Sequence, residues 1–275
     1  MKKAWKISVG ILGLLIIGGI WFALTPVDLR PEYLGDKISK ADYAKGKALM
    51  SQMQEAYGGM DNWLGHKTGS YVQVADWYDN KLGVAGWDEL PQEFQMTSFL
   101  GSDDSELTLL NGPNTGQSWG VENSKSYKKG ENGEKDFMPN EKYQHKLIYK
   151  NYWFQFPFRV SEAPIIAYAG EAKVNEKSYD LLYITWGSEA PNRSYDQYVL
   201  YLDQETKFVE WLHFTLREKV NFIHITARFA DFKTINGIVS PFTQYVSFGS
   251  PGSEGPKMHE NRYKWIQFGE ETVMR

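Results

Sequence analysis

Apolar and polar residues alternate with a period of two along most of the chain after residue 70. Such alternation is typical of strands with one buried face, and clusters of Gly, Asn, Asp and Pro separate the segments. The nine segments with this pattern are 71–78, 93–100, 105–110, 178–186, 196–203, 207–216, 220–229, 237–248 and 261–268. Asn236-Gly237 and the segment 203–206 are hairpin signals. The pattern therefore predicts a long antiparallel sheet.

One strongly amphipathic helix is predicted before the strands. Ser39 is a candidate N-cap, and Asp42 at the third helical position forms a variant of the capping box. Gly58 and Gly59 predict its end. The apolar positions that recur on one helical face are Tyr43, Leu49, Met50, Met53, Ala56 and Tyr57. This face requires an apolar surface to cover, and the sheet supplies one.

A second helical segment interrupts the strands at residues 140–158. Tyr143, Leu147 and Tyr152 have helical spacing until Pro157 breaks the pattern. Large aromatic side chains crowd its second half, and we expect them to form the lid or mouth of a ligand site, with a membrane-facing lip as the alternative use. These lid candidates are Tyr152, Trp153, Phe154, Phe156 and Phe158.

These elements predict a mainly β (α+β) domain over residues 39–275. A long sheet with few helices hides its apolar surface most simply by curling, so we expect a strongly curved antiparallel sheet that forms an unclosed half-barrel. One or two helices would cover its concave side and leave an apolar hollow. The polar segment 122–136 is expected to be a loop.

The chain begins with an apolar run, Ile7–Leu24, whose 18 residues lie between the lengths of a signal peptide and a membrane span. Three lysines precede the run and acidic residues follow it, which predicts a cytoplasmic N-terminus. No good cleavage site follows. We therefore predict a transmembrane signal-anchor helix at 1–25 and a linker at 26–38. A cleaved signal peptide is the alternative.

This topology exports the domain, which in a bacterial cell envelope would lie on the periplasmic side of the inner membrane. The alternative of cleavage would release the domain into the periplasm. The formal net charge is −4, and residues 7–275 carry 27 basic against 34 acidic side chains. An acidic domain argues against a nucleic-acid partner. The absence of cysteine excludes disulfides, thiolate metal sites and cysteine nucleophiles.

Several segments together resemble the lipoprotein-localisation carriers, the LolA/LolB-like fold, and uncharacterised bacterial envelope proteins similar to them. The segments that carry the resemblance are ALMSQMQEAYGGMDNW at 48–63, YDLLYITW at 179–186, YVLYLDQETKFVEWLHFT at 198–215 and FADFKTINGIVSPF at 229–242. The resemblance implies an unclosed β-barrel with helices as a lid and a cavity for acyl chains. It assigns no functional residue.

Apolar positions on one face of the central strands are candidates for lining such a cavity together with the first helix. They are Leu49, Met50, Met53, Leu182, Ile184, Trp186, Leu200, Leu212 and Phe214. The alternative is that they are ordinary core residues. The main hypothesis is a non-catalytic binding protein for a lipid, a lipophilic small molecule or a lipidated protein. Burial of apolar surface would drive binding. No cofactor is expected.

Two other classes of function remain open. Ser118 lies in a Gly-x-Ser-x-Gly pattern, although a loop-like segment follows where a nucleophile elbow has a helix. His213 and His224 are expected to face each other across a hairpin, with Glu210 as a third metal ligand in a less favoured arrangement. A hydrolase that uses these groups is one alternative. A structural or interaction module with a filled core is the other.

Overall fold

Thirteen antiparallel strands form one continuous, unclosed sheet. The computed structural model describes residues 25–34, 37–78, 86–139, 141–217, 220–253 and 255–269. The strands are β1 (Thr68–Trp77), β2 (Gln92–Phe99), β3 (Ser105–Leu109), β4 (Ser118–Glu122), β5 (Lys125–Lys129), β6 (Lys135–Phe137), β7 (Ile165–Val174), β8 (Lys177–Thr185), β9 (Gln197–Asp203), β10 (Val209–Leu216), β11 (Val220–Ile235), β12 (Ile238–Phe248) and β13 (Lys257–Phe268). Their order in the sheet is β6-β5-β4-β3-β2-β1-β13-β12-β11-β10-β9-β8-β7. Two meanders thus meet where β1 pairs with β13, and β6 and β7 are the free edges.

The helices lie before each meander. They are α1 (Arg30–Tyr33), α2 (Lys40–Ala56), α3 (Met60–Gly65), α4 (Glu141–Phe154) and α5 (Phe156–Arg159), with a 3-10 turn at Val160–Glu162. The predicted capping box begins α2, because the Asp42 N–H donates to Ser39 Oγ at 3.1 Å and the Ser39 N–H donates to Asp42 Oδ2 at 2.9 Å. The helix packs on β7 and β8, whereas α4 packs on β3, β4 and β5.

The nine predicted strands are confirmed, but the structure has four more. The predicted loop at 122–136 was wrong, because most of it belongs to a short meander of β4, β5 and β6. β5 and β6 are short and carry charged side chains, and the five residues of β4 include Ser, Gly and Glu, so these segments lack the usual apolar alternation. β7 was missed because Ala and Gly dilute its pattern.

The inner face of the sheet and the helices share one core. Leu182 of β8, Leu200 of β9, Met53 of α2 and Leu147 of α4 all belong to it and are fully buried. Gly46 allows α2 to approach β7 closely, since a Cβ at this position would lie 2.7 Å from the backbone of Ala167. The apolar face of α2 thus packs on the sheet, as its spacing predicts.

A second, smaller core lies on the outer face of β7, β8 and β9. Leu181, Tyr183 and Val199 point into it, and the N-terminal segment covers them with Leu29, which is 2% exposed. The predicted linker therefore contains α1 and packs on the sheet. Burial on both faces explains why β8 is an almost continuous apolar run.

Backbone and side-chain hydrogen bonds fix this N-terminal segment. The Val27 N–H donates to the Asn221 carbonyl at 2.8 Å, and the Leu29 N–H donates to Gln197 Oε1 at 2.8 Å. Arg217 donates to the Val27 carbonyl. The predicted signal-anchor helix at 1–25 lies, apart from residue 25, outside the described residues. Among the residues that are described, no helix is long and apolar enough to cross a membrane.

Candidate functional site

A helical lid lies over the inner face of the sheet. It consists of α4, α5 and the 3-10 turn, and the predicted aromatic segment forms its underside. Trp153 is stacked on Phe156 with a ring distance of 5.2 Å, and Phe154 contacts Tyr71 of β1 at 4.5 Å. Phe158 stacks almost parallel on Trp63 of α3 at 4.7 Å. The structure therefore brings the lid candidates together against the barrel interior.

Polar contacts attach the lid to the turn between β2 and β3. Gln155, which is 1% exposed, accepts a hydrogen bond from the Gly101 N–H at 2.8 Å and donates to the Ser102 carbonyl at 3.1 Å. Asn151 donates to the same carbonyl at 2.8 Å, and Arg159 bonds Asp103 at 2.7 Å. One short turn thus holds the junction of α4 and α5.

The lid also contacts α2 through one polar side chain. Gln54 donates from Nε2 to Ser161 Oγ at 2.8 Å and to the Phe158 carbonyl at 3.1 Å. In contrast, the hydroxyl of Tyr152 is buried and has no hydrogen-bond partner among the described residues. A buried polar group without a partner costs about 1–3 kcal/mol, so the closed position of the lid carries an internal penalty.

A small apolar cavity lies beneath the lid. Its volume is about 30 Å³, far below the roughly 150 Å³ of an apolar cavity that holds benzene. Trp153, Phe154, Phe156 and Phe158 line it from the lid side, whereas Tyr152 does not. β13 contributes Tyr263, Ile266 and Phe268 from the opposite wall. The closed lid therefore leaves no room for an acyl chain.

The predicted cavity residues do not line this space. Leu182, Ile184, Leu200 and Leu212 are fully buried in the inner core. Leu49, Met50, Met53 and Phe214 are also buried there, and Trp186 packs on the core at its margin. In the closed state these side chains pack against one another, which is the alternative that the sequence left open.

His213 and His224 are neighbours, as the hairpin pattern predicts, but they are not directly opposite. His213 pairs with Thr226, and a register shift lies at Thr215/Leu216. The His213 Nε2 atom lies 2.6 Å from His224 Nδ1, and its Nδ1 atom lies 2.6 Å from the Tyr33 hydroxyl. Burial and the neighbouring His224 lower the pKa of His213 to about 3.

This histidine pair belongs to the outer face, beneath α1. Glu210 bonds Lys177 and Tyr179 instead of facing the pair. Among the described residues, no three His, Cys, Asp or Glu side chains lie close enough to hold a metal ion. Ser118 lies within β4, and its hydroxyl lies 2.7 Å from that of Thr108. A strand at this position differs from the strand–turn–helix of a nucleophile elbow.

Sequence analysis missed two buried side chains beneath the lid. Lys150 of α4 reaches the inner face of β1 and β13, and His259 of β13 lies close to it. The ring of His259 stacks on Trp77 at a ring distance of 4.3 Å. Helical spacing could have indicated that Lys150 faces the sheet, because it lies three residues after the buried Leu147.

No protein-family model matches the chain, and no curated protein does. Solved structures do match. A LolA superfamily protein from Nitrosomonas europaea superimposes with a TM-score of 0.52 at 10% identity, over 82% of this chain and 94% of that one. A putative outer membrane lipoprotein-sorting protein domain from Vibrio parahaemolyticus gives 0.52 at 10% identity, over 85% and 95%.

A DUF1329 family protein from Desulfovibrio piger gives a TM-score of 0.53 at 11% identity, over 84% of this chain and 95% of that one. These matches cover most of both chains. The chain therefore has a LolA-like fold, which confirms the predicted resemblance and the unclosed, curved sheet. At this identity the comparison concerns the fold alone.

Proposed function

We propose that this chain is a non-catalytic protein of the bacterial cell envelope that binds a lipid or another lipophilic ligand beneath its helical lid. The observation that carries the proposal is the aromatic underside of the lid, which closes on an apolar cavity inside an unclosed sheet. The LolA-like fold and the lipoprotein-sorting domain among the similar structures support the same class of ligand.

Ligand binding requires the lid to move, because the closed cavity of about 30 Å³ is too small for an acyl chain. Opening would expose the aromatic underside at a cost of roughly 25 cal/mol per Å² of apolar surface. An acyl chain in the opened space would cover that surface again. The unpartnered Tyr152 hydroxyl favours movement of the lid over movement of the sheet, whose strands are joined by continuous backbone hydrogen bonding.

A filled-core interaction module is the second candidate, and the small cavity favours it. The two candidate functions differ in whether the purified protein contains bound lipid.

In the experiment that separates them, the full chain is purified from membranes in mild detergent, extracted with organic solvent and analysed by mass spectrometry. The uncharged fluorophore N-phenyl-1-naphthylamine is then titrated into the protein. The proposal predicts co-purified lipid and saturable fluorescence that hexadecanol displaces, whereas a filled core predicts neither.

A reversible cross-link tests the role of the lid. The chain contains no cysteine, so the pair Gln54→Cys and Ser161→Cys can be joined selectively by a cleavable bismaleimide. We expect cross-linking to abolish fluorophore binding and cleavage to restore it. The Gln54→Cys single variant with the same reagent is the control. Undiminished binding by the cross-linked protein would show that the fluorophore lies outside the lid.

A further inference from the structure

Lys150 is a buried cation with only neutral partners. Its side chain extends from α4 toward the sheet and is 9% exposed. The Nζ atom donates to Gln73 Oε1 at 2.9 Å and to Asn261 Oδ1 at 2.8 Å. The ion pairs among the described residues do not include it. Burial, together with Lys146, lowers the pKa of Lys150 to about 7, as expected when no carboxylate balances the charge.

His259 supplies a buried nitrogen without a hydrogen-bond partner near the Lys150 ammonium. It lies two residues from Asn261 on the same face of β13 and is 7% exposed. Its Nδ1 atom is buried and has no hydrogen-bond partner within the described part of the chain. Burial and the charge of Lys150 lower the pKa of His259 to about 3, so the two side chains interact electrostatically. A buried anion would satisfy both groups.

The polar pair lies at one end of the apolar cavity wall. Along the inner face of β13, Asn261 is followed by Tyr263, Ile266 and Phe268, and the last three line the cavity. The distance from Asn261 to Phe268 is about 23 Å at 3.3 Å per residue. On the lid, Phe154 lines the same cavity one helical turn after Lys150. A polar group and an apolar stretch of side chains thus follow one another both on β13 and on α4.

We propose that Lys150 and His259 bind the headgroup of a long-chain carboxylate whose acyl chain lies toward Phe268. This inference rests on the proposed lipid-binding function and names the ligand class. The carboxylate would accept hydrogen bonds from the ammonium group and from the Nδ1–H tautomer of the imidazole. One lysine neutralises one negative charge, which favours a carboxylate over a dianionic phosphate monoester.

The first test compares two ligands of equal chain length on the full-length wild-type chain. Palmitate and hexadecanol each displace N-phenyl-1-naphthylamine at pH 7. A buried hydrogen bond to a charged group contributes about 1.5–3 kcal/mol, so palmitate is expected to bind roughly 10- to 100-fold more tightly. If neither ligand binds, the proposed function fails. If both bind equally, only the carboxylate site fails.

Matched lysine variants test the residue itself. Lys150→Met removes the charge and keeps an apolar side chain of similar length, and Lys47→Met makes the same change at an exposed position of α2. We expect Lys150→Met to lose the preference for palmitate and to bind hexadecanol within about twofold of wild type. Lys47→Met should keep the preference. A preference that survives in a folded Lys150→Met variant would overturn the assignment, and the wild-type comparison decides the case if that variant does not fold.

Discussion

Replacement of Gln155 by Met should loosen the lid without disturbing the sheet. The change preserves the length and approximate volume of a side chain that is almost fully buried. It removes the hydrogen bonds from the Gly101 N–H and to the Ser102 carbonyl, and also the 2.7 Å bond to Asn151 Oδ1. The Ser102 carbonyl keeps Asn151 and Arg159 as donors, whereas the Gly101 N–H loses its acceptor.

The expected magnitude follows from these contacts. Each neutral hydrogen bond contributes about 1 kcal/mol, and Gly101 lies in an exposed turn, so its N–H adds no large burial penalty. We therefore expect the free energy of lid opening to fall by roughly 2–4 kcal/mol. The lid is expected to open as a local unit. The loss of protection from exchange should therefore be largest for amides of α4 and α5 and small for amides of the strands in the middle of the sheet.

Amide hydrogen exchange, followed by mass spectrometry, measures this difference. The control is Gln144→Met, the same substitution on the same helix, where the side chain makes one long bond of 3.3 Å to the Ser124 carbonyl. Exchange in α4 and α5 should accelerate by roughly 30-fold or more in Gln155→Met and little in Gln144→Met. Equal exchange in the two variants, or acceleration spread over the whole sheet, would refute the conclusion that the Gln155 contacts hold the lid closed.

Three further predictions concern stability, measured by urea unfolding. Gly46→Ala should destabilise the protein by roughly 1–3 kcal/mol because its Cβ would lie 2.7 Å from the Ala167 backbone, whereas Gly65→Ala enters open space and should be neutral or slightly stabilising. Leu29→Ala should cost about 2–5 kcal/mol if the N-terminal segment is part of the domain core; a loss below 1 kcal/mol would contradict the packing. Burial lowers the pKa of Lys150 below its unfolded value, so the unfolded chain binds more protons between pH 7 and 10. The stability of wild type relative to Lys150→Met should therefore rise with pH across this range, by at most about 5 kcal/mol. A flat difference would contradict the burial of an uncompensated amine.

Local sequence signals were sufficient for the elements with strong patterns. The Ser39 capping box, the strands with alternating apolar residues and the helix before Pro157 could all be predicted because each depends on neighbours in sequence. The curved, unclosed sheet could be predicted because the sequence contains many strands and few helices to cover their apolar faces. The strands β4, β5 and β6 could not be predicted, since they are short, lack apolar alternation and depend on pairing with one another and, for β4 and β5, on packing against α4.

The candidate site was predictable only in part. The aromatic lid is visible in the sequence because its large residues lie within one short segment. Which apolar residues pack and which line free space depends on how α2 and α4 fit the sheet, so Leu182 and Leu200 could not be distinguished from Phe268 by pattern alone. The meeting of Lys150 and His259 joins residues 109 positions apart and has no local signature.

The fixed N-terminal segment limits how far the domain can move from its point of attachment. A free linker over residues 26–38 would reach up to about 45 Å and let the domain turn in any direction. Hydrogen bonds hold the chain on the sheet at Val27 and Leu29, so this segment does not act as a free linker. If residues 1–25 are the membrane anchor that the sequence predicts, the domain lies close to the bilayer. A ligand would then reach the domain by diffusing within the membrane plane. The fold would set the distance between the ligand site and the bilayer.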